Sequence, residues 1–389
     1  MTSSASISSS TDPLDLAAIP LLDHHAHAVR RDQSSVDPAL VRRSFSESTD
    51  PVMDTHLATT IVYRRAIRDL AAFLGCEPTE AAVLAARSAL PFADLMRRCF
   101  AAANIKTLLL DSGFQAALTL DLGEMAALSC VPVLHVLRLE TYVEELIGQI
   151  HSLSQLEEAL RLRIREARAH GTVALKSIAA YRGGLQVEPR SAVEAGATLS
   201  ELRTLWEQTG AIRLTQRPLI EYLLYVALEE AAAIELPVQF HVAFGDDDAD
   251  LRLANPLHLR PLLHDRRLRG APIVLLHCYP YVREAGYLAS LYANVYVDVS
   301  LSVPLTGAGS RARFAEALEL APTTKVLFAT DAHSIPELFY IAALHGRHAL
   351  AHCLSELIAL DYLTSAEAEA IAQQILWQNA SRLYGVAIE

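Results

Sequence analysis

Short apolar runs alternate with longer stretches of helical periodicity along most of this chain. Eight runs have the length and the Val, Ile and Leu content of buried strands, at residues 18–27, 105–111, 131–139, 173–179, 237–243, 272–277, 295–299 and 325–331. Segments with apolar residues at helical spacing lie between them, at 154–170, 199–234, 282–292, 311–320 and 335–354. This alternation of strand and helix predicts an α/β fold, a (β/α)8 TIM barrel.

The connection after the first predicted strand is too long for a simple crossover. It runs from about residue 30 to 104 and contains Ala- and Leu-rich stretches at 53–74 and 79–103. We therefore expect an inserted helical subdomain that caps the mouth of a single barrel domain over residues 18–389. A further helical excursion is predicted at 191–236, a closing helix at 365–383, and a flexible Ser-rich tail at 1–17.

The charge and cysteine content narrow the choice of partners and compartment. The formal net charge is -12 and no basic block occurs, which argues against nucleic acid or an anionic membrane as a partner. The five cysteines form no CxxC pair, and an odd number cannot all pair internally, so a reducing cytoplasm is expected. No apolar run reaches the length of a membrane span. These observations favour a cytoplasmic protein with a small-molecule substrate, and leave open whether it forms a homo-oligomer.

The end of the first predicted strand carries a histidine pair. The sequence there is Asp23-His24-His25-Ala26-His27, and strand alternation places Asp23, His25 and His27 on one face. The same alternation places His24 and Ala26 on the opposite face. Two neutral imidazoles on one strand face can bind one metal ion. On this motif alone, a solvated histidine-rich loop remains an alternative.

Other chemically active side chains follow the fourth, fifth, sixth and eighth predicted strands. They are Lys176, His241, His277 and Asp331. Each has a structural explanation when taken singly, as a hydrogen-bonded loop histidine, a helix N-cap or a solvated lysine. In a barrel, however, functional groups gather at the carboxyl ends of the strands. The combination therefore predicts one site that joins these residues to the histidine pair.

This ordered set of side chains resembles the ligand set of the amidohydrolase superfamily of metal-dependent barrel enzymes, over nearly the whole chain. Segments 173–185, 277–289 and 328–340 further resemble the amidohydrolase half of FluG-type and nodulin-type proteins. In those proteins that half is fused to a glutamine-synthetase-like domain. We expect no such partner domain here, and no small β-sandwich of the kind that many superfamily members carry.

The resemblance implies that His25, His27, His241 and Asp331 bind a metal, with zinc expected first and manganese or iron(II) as alternatives. His277 would be a ligand of a second ion or an electrophile that polarises the substrate. The site would hold one or two ions.

Lys176 is the ambiguous member of the set. In binuclear members of the superfamily, a lysine on the fourth strand takes up carbon dioxide, and its carbamate bridges two metals. An unmodified Lys176 would instead contact substrate. A bound divalent metal lowers the pKa of its water to about 7, and Asp331 would take the proton and pass it to the leaving nitrogen. Asp23 either orients a histidine of the pair or is a strand-end turn residue.

Substrate-binding residues are predicted where the third and fourth strands end. Arg138 and Glu140 close the third run, and Tyr181 and Arg182 follow Lys176, so we expect all four at the barrel mouth. The planar fork of arginine suits a substrate carboxylate. The FluG-like resemblance implies γ-glutamyl amides or related amino-acid amides as the substrate class.

Phe45-Ser46-Glu47 resembles a segment near the site in the same family, although composition alone favours a surface role for Glu47. The leading hypothesis is a metal-dependent hydrolase of a C–N (amide) bond. A mononuclear metal-dependent decarboxylase of a small acid and a non-catalytic barrel that acts as a scaffold or sensor are the alternatives. The complete ligand set favours an enzyme.

Overall fold

Eight parallel strands follow one another around a single sheet in chain order, in a computed structural model that describes residues 14–33 and 37–388. The strands are β1 (Leu21–Ala26), β2 (Ile105–Asp111), β3 (Val133–Arg138), β4 (Thr172–Ser177), β5 (Val238–Val242), β6 (Ile273–His277), β7 (Val295–Asp298) and β8 (Val326–Leu327). Seven of them lie within the predicted runs and β4 begins one residue before its run, so the predicted barrel is confirmed. Of the predicted flexible tail at 1–17, residues 1–13 lie outside the described residues.

The barrel closes through the segment that follows β8, because β8 itself has only two residues. The Asp331 amide donates to the His25 carbonyl at 3.0 Å, and the His27 amide donates to the Ala332 carbonyl at 2.8 Å. These two main-chain hydrogen bonds place Asp331 beside the histidine pair at the end of β1.

The seventeen α-helices that the structure describes surround the sheet. They are α1 (Pro38–Arg43), α2 (Asp54–Leu57), α3 (Ile61–Leu74), α4 (Glu80–Ser88), α5 (Phe92–Ala102), α6 (Leu122–Ser129), α7 (Leu139–Leu146), α8 (Leu153–Arg165), α9 (Ala192–Thr209), α10 (Arg217–Ala233), α11 (Arg260–His264), α12 (Val282–Leu291), α13 (Ser302–Leu305), α14 (Ser310–Leu318), α15 (Pro336–Ala359), α16 (Ser365–Gln373) and α17 (Asn379–Tyr384). No helix among the described residues is both long and apolar enough to cross a membrane.

The predicted helical insertion is present between β1 and β2 as α1 to α5. Capping side chains start helices α3 and α4: the Thr60 hydroxyl accepts from the Tyr63 amide, and the Thr79 hydroxyl accepts from the Ala82 amide. Helix α3 ends at Gly75, whose φ of 73° is the left-handed conformation that glycine adopts without a steric penalty. The insertion is therefore formed by locally encoded helices.

The helical stretch predicted at 199–234 is two helices, α9 and α10. Arg217–Ala233 carries Pro218 in its first turn, where the missing amide hydrogen costs nothing, and the preceding residues leave the helical conformation. A helix that continued through this proline would lose a main-chain hydrogen bond and clash with the preceding turn.

The barrel interior is apolar in its lower layers and polar at its upper end. Tyr384 of the last helix packs in these lower layers against apolar strand residues. The strand residues are Leu22, Leu109, Val136, Ala174, Val274, Leu276 and Leu327. On β5 the apolar residues Val238, Phe240 and Val242 belong to the larger core outside the barrel. Gln239 and His241 are therefore left for the inner face, as the alternation on this strand predicts.

The prediction that His24 lies on the face opposite to the metal site is wrong. The β1–β2 register shifts between Asp23 and Ala26, so strict alternation fails in this part of the strand. His24 is fully buried, with its Nε2 atom 3.1 Å from Asp298 and its Nδ1 atom 3.2 Å from the Tyr384 hydroxyl. It belongs to the polar layer below the site.

Close packing between α15 and β8 gives a first testable prediction. A Cβ at Gly346 would lie 2.1 Å from the Phe328 ring, which is fully buried and cannot move aside. Gly346→Ala should therefore lower the free energy of unfolding by about 1–3 kcal/mol through overpacking. In urea denaturation, its midpoint should fall below that of the unchanged protein.

Gly196→Ala is the matched control, because no heavy atom lies within 4 Å of its Cβ position in α9. It should raise the free energy of unfolding by about 0.5–1 kcal/mol through helix propensity. A Gly346→Ala midpoint equal to or above that of Gly196→Ala would contradict the packing argument.

Candidate metal centre

The histidine pair of β1 meets a carboxylate that the barrel closure brings to it. The Nε2 atom of His25 lies 3.4 Å from Asp331 Oδ1, and the Nε2 atom of His27 also lies 3.4 Å from the same oxygen. Asp331 has a φ of 49°, so its main chain leaves the strand conformation at this point. Its Oδ1 atom is buried and forms no hydrogen bond within the described residues. These three side chains therefore face one small volume.

His277 and His241 lie on the other side of this volume. The Nδ1 atom of His277 is 3.5 Å from Asp331 Oδ2, and its ring centroid is 4.5 Å from that of His241. The Nε2 atom of His241 is buried and has no hydrogen-bond partner among the described residues. His25, His277 and Asp331 each offer a ligand atom within 4.8 Å of the others, as do His25, His27 and Asp111.

The hydrogen-bond partners of His25 Nδ1 and His27 Nδ1 determine which ring nitrogen carries the proton in each of these histidines. Gln239 Nε2 donates to the His24 carbonyl, so Gln239 Oε1 must accept the hydrogen bond of 2.8 Å from His25 Nδ1. His27 Nδ1 faces the Asp111 carbonyl at 3.2 Å, and a carbonyl only accepts. Both histidines therefore carry the proton on Nδ1 and turn the lone pair of Nε2 towards Asp331.

Asp298 arranges His277 from below. It accepts hydrogen bonds from the amides of His277 and Ser300 at 3.2 and 3.0 Å, and from the Ser300 hydroxyl. Because the Ser300 hydroxyl proton points to Asp298, its oxygen accepts from His277 Nδ1 at 2.9 Å. His277 has a φ of 68°, which turns it out of the alternation of β6. Asp298 thereby fixes both the main chain and the tautomer of His277.

Burial keeps these histidines uncharged. It lowers the pKa of His25, His241 and His277 well below the usual value, and the positive charge of Lys176 acts in the same direction on all three. A neutral imidazole is the form that binds a metal ion.

Lys176 is buried within the same cluster. Its Nζ atom lies 3.3 Å from His25 Nε2, and burial lowers its pKa to about 8 although Asp111 and Asp331 act to raise it. A substantial fraction of this amine is neutral near pH 8, and the neutral amine is the nucleophilic form that carbamate formation requires.

Asp111 at the end of β2 belongs to the site but was not predicted. Burial acts to raise its pKa, yet Arg138, His27 and Lys176 outweigh that effect and lower it to about 2. Arg138 Nε donates to Asp111 Oδ1 at 3.2 Å, and Arg138 Nη2 donates to Asp111 Oδ2 at 2.7 Å. The sequence feature that could have identified Asp111 is its position as an acidic residue at the end of the apolar run 105–111.

The hypothesis that Asp23 orients a histidine of the pair is wrong. Asp23 accepts from the Thr330 amide at 2.9 Å and from the Thr330 hydroxyl at 2.5 Å. Asp23 therefore binds Thr330, the residue before Asp331, across the barrel closure. It positions the Asp331 carboxylate and not a histidine of the pair.

A cavity of about 540 Å³ opens above the cluster. Its lining includes Arg138, Tyr181 and Arg182, three of the four residues predicted to bind substrate. Arg138 is committed to Asp111, whereas Arg182 has a buried Nε without a partner among the described residues and lies 3.9 Å from Glu144. Tyr181 stacks on His241 with ring centroids 4.2 Å apart.

Glu140, the fourth predicted substrate residue, is not brought to this cavity. It is buried, and it accepts from the Ser177 hydroxyl at 2.7 Å and the Ile178 amide at 3.0 Å. It supports the end of β4, next to Lys176.

Glu47 is partly buried at the cavity, so the surface role favoured by composition is wrong. Burial raises the pKa of Glu47 to about 8, and the negative charges of Asp331 and Asp246 add to this effect. His333 also lines the cavity, and Phe114 covers His27 with ring centroids 5.0 Å apart.

Comparison with known proteins agrees with this geometry. A family model described as Amidohydrolase matches residues 154–386. Protein fluG of Emericella nidulans is 34% identical over 221 residues, which are 54% of this chain and 25% of that protein's length. The match thus spans only a quarter of that relative.

Solved structures resemble the whole chain. A protein from Lactobacillus casei ATCC 334, assigned as a metal-dependent hydrolase, is 35% identical with a TM-score of 0.85, covering 95% of this chain and 96% of its own. Uronate isomerase from Thermotoga maritima is 15% identical with a TM-score of 0.67, covering 95% of each chain. The second likeness shows the shared fold alone.

The tautomer argument for His25 predicts a role for Gln239. Gln239→Leu removes the acceptor for His25 Nδ1–H without removing a ligand, so zinc affinity should fall by about 10–100-fold. Competition with a chromophoric chelator measures this affinity. Tyr384→Phe is the control, because it removes a partner of Gln239 Nε2 and leaves the bond to His25 in place. Equal zinc affinities for both variants would contradict the argument.

Proposed function

This chain belongs to the amidohydrolase family, and we propose on that basis that it is a metal-dependent hydrolase of a C–N bond. Its substrates are amides whose acyl part carries a carboxylate, with γ-glutamyl amides and related amino-acid amides as the class. The observation that carries the proposal is the convergence of His25, His27 and His277 on Asp331 below a cavity, with His241 packed against His277. The description of the Lactobacillus casei relative as a metal-dependent hydrolase supports it.

The residues present fit a divalent cation. The imidazoles of His25, His27 and His277 lie within 3.5 Å of Asp331, and the ring of His241 lies beside that of His277. Two polar atoms of this cluster, His241 Nε2 and Asp331 Oδ1, are buried without hydrogen-bond partners within the described residues. Leaving such atoms unpaired costs about 1–3 kcal/mol each, which coordination of an ion would remove. His25, His27 and Asp331 would hold one ion, and His241 and His277 would hold a second. Zinc is the ion that this nitrogen-rich set favours.

Lys176 lies beside His25, with its Nζ atom 3.3 Å from His25 Nε2. This contact and the lowered pKa of the amine support a carbamate at this position, whose oxygens would be further ligands for the cation. Asp111 is an alternative ligand beside His27, although its pairing with Arg138 occupies both of its oxygens.

When bound, the cation would polarise the amide carbonyl and lower the pKa of a water molecule to about 7. The Asp331 carboxylate has two oxygens, so one can hold the cation while the other accepts the proton of the attacking water. It then returns the proton to the leaving nitrogen. Arg182 holds the substrate carboxylate, because its guanidinium is the less committed of the two that were predicted to do so.

Asp331→Asn tests the proton transfer. Asparagine keeps the size of the side chain and tolerates the φ of 49°, so the fold should remain, while kcat should fall by about 100-fold or more. Asp361→Asn is the control, because Asp361 is exposed and also has a positive φ of 60°. Activity of Asp331→Asn equal to that of the control, with the same melting curve, would refute the role of Asp331 in proton transfer.

Metal content tests the number of ions. Protein purified without added ions should contain two equivalents of metal, measured by inductively coupled plasma mass spectrometry. Labelled bicarbonate should give a carbamate signal on Lys176 by carbon NMR. Lys176→Ala should retain no more than one equivalent and give no such signal. One equivalent in the unchanged protein would leave both the hydrolase and the mononuclear decarboxylase open, and no metal together with no activity on adding zinc would favour a scaffold.

A further inference from the structure

A second cavity of about 690 Å³ adjoins the cavity above the metal centre. The two share the lining residues Ser46, Glu47, Ser48, Thr49 and Asp246. The shared wall comes from the loop between α1 and α2 of the helical insertion and from the loop after β5. The two cavities are therefore immediate neighbours.

The lining of the second cavity combines apolar and acidic side chains. The apolar part includes Leu57, Ile61, Val62, Phe244 and Leu305. The acidic part is Glu47, Asp50, Asp246 and Asp247, and no Lys, Arg or His of the described chain lines it. Phe244 offers an aromatic ring, whose face attracts cations. Such a lining suits an aliphatic chain that carries a positive charge.

The four carboxylates are not neutralised by ion pairs within the described residues. Asp247 accepts from the Thr49 hydroxyl at 3.0 Å, and Asp50 accepts from the Val52 amide at 2.9 Å. Asp246 accepts from the Asp248 amide at 3.1 Å. Glu47 lies near Asp331 and Asp246, and burial together with these negative charges favours its neutral form. A cation bound here would favour the carboxylate form of Glu47 and relieve the repulsion between the four acidic side chains.

A buried hydroxyl independently indicates a ligand at this place. Thr306 lines the same cavity, and its Oγ1 atom is buried without a hydrogen-bond partner among the described residues. An unpaired buried hydroxyl costs free energy unless a ligand or solvent group satisfies it. An ammonium group can donate to the Thr306 oxygen and to a carboxylate at once, because it has three donors.

The first cavity, unlike the second, has arginine side chains in its lining. They are Arg30, Arg43, Arg138, Arg182 and Arg213, and none of them lines the second cavity. An amide with an anionic acyl part would therefore lie with that part towards Arg182 and its nitrogen side towards Glu47. Hydrolysis of this amide breaks its C–N bond, forms a C–O bond to water, and transfers one proton from water to the nitrogen.

We propose that the second cavity is the leaving-group subsite, and that it selects aliphatic amines that carry a second, cationic nitrogen. This proposal rests on the proposed amide hydrolysis. The preferred substrates are thus carboxylate-bearing acyl amides of diamines, with the free ammonium held among Glu47, Asp247 and Thr306.

Binding of the leaving group alone tests the subsite without any turnover. In calorimetry with the zinc-loaded protein, diaminobutane should bind at least about tenfold more tightly than butanol, which has the same chain length and no charge. Asp247→Asn and Glu47→Gln should each weaken diaminobutane binding by about three- to tenfold. Glu319→Gln is the control for net charge, because Glu319 is exposed, pairs with Arg283 and lines neither cavity.

Turnover then distinguishes the subsite from the reaction. The ratio of kcat/KM for γ-glutamyl-diaminobutane to kcat/KM for γ-glutamyl-butylamide should be about ten. It should fall in Asp247→Asn but not in Glu319→Gln. Hydrolysis of both amides at equal kcat/KM, or equal binding of diaminobutane and butanol, would overturn the subsite. Charge-dependent binding without hydrolysis of either amide would uphold the subsite and overturn the proposed reaction.

Discussion

The site depends on the main-chain hydrogen bonds that close the barrel between β1 and the segment after β8. They join Asp331 to His25 and His27 to Ala332, so the first and last ligands along the sequence become neighbours. Asp23 reinforces the closure through Thr330, which precedes Asp331. A carboxylate more than 300 residues away in sequence is thereby fixed within 3.4 Å of both imidazoles. The closure serves both the fold and the chemistry.

Electrostatics explains why the cluster suits an ion. Four imidazoles and an amine lie together, and burial with the nearby positive charges disfavours the charged forms of His25, His241, His277 and the Lys176 amine. Their lone pairs are left directed at a shared volume, with proton positions set by Gln239, Asp298 and the Asp111 carbonyl. A polar core of this kind is costly when empty and becomes favourable when a cation pairs with it.

The helical insertion gives the barrel mouth its polarity. Its loop brings Glu47 and three neighbouring residues to the wall shared by two cavities, while the loop after β4 brings Arg182 to the opposite side. The barrel thus supplies the reaction centre, and the insertion supplies a negatively charged extension of it. Arginine on one side and carboxylates on the other would orient a substrate with two opposite charges.

The sequence by itself determined the barrel and most of the polar residues at its upper end. Strand periodicity and length identified all eight strands, because buried parallel strands are short continuous apolar runs. The residues at their carboxyl ends gather at one rim in any such barrel. Only the tertiary structure decided which of them face the site. Alternation fails at the shifted register of β1 and at the positive φ of His277, so His24 and His277 could not be placed by counting. Asp111, Glu47 and Glu140 likewise depend on partners distant in the chain, because the environment of a carboxylate is set by packing and by nearby charges that no local pattern encodes.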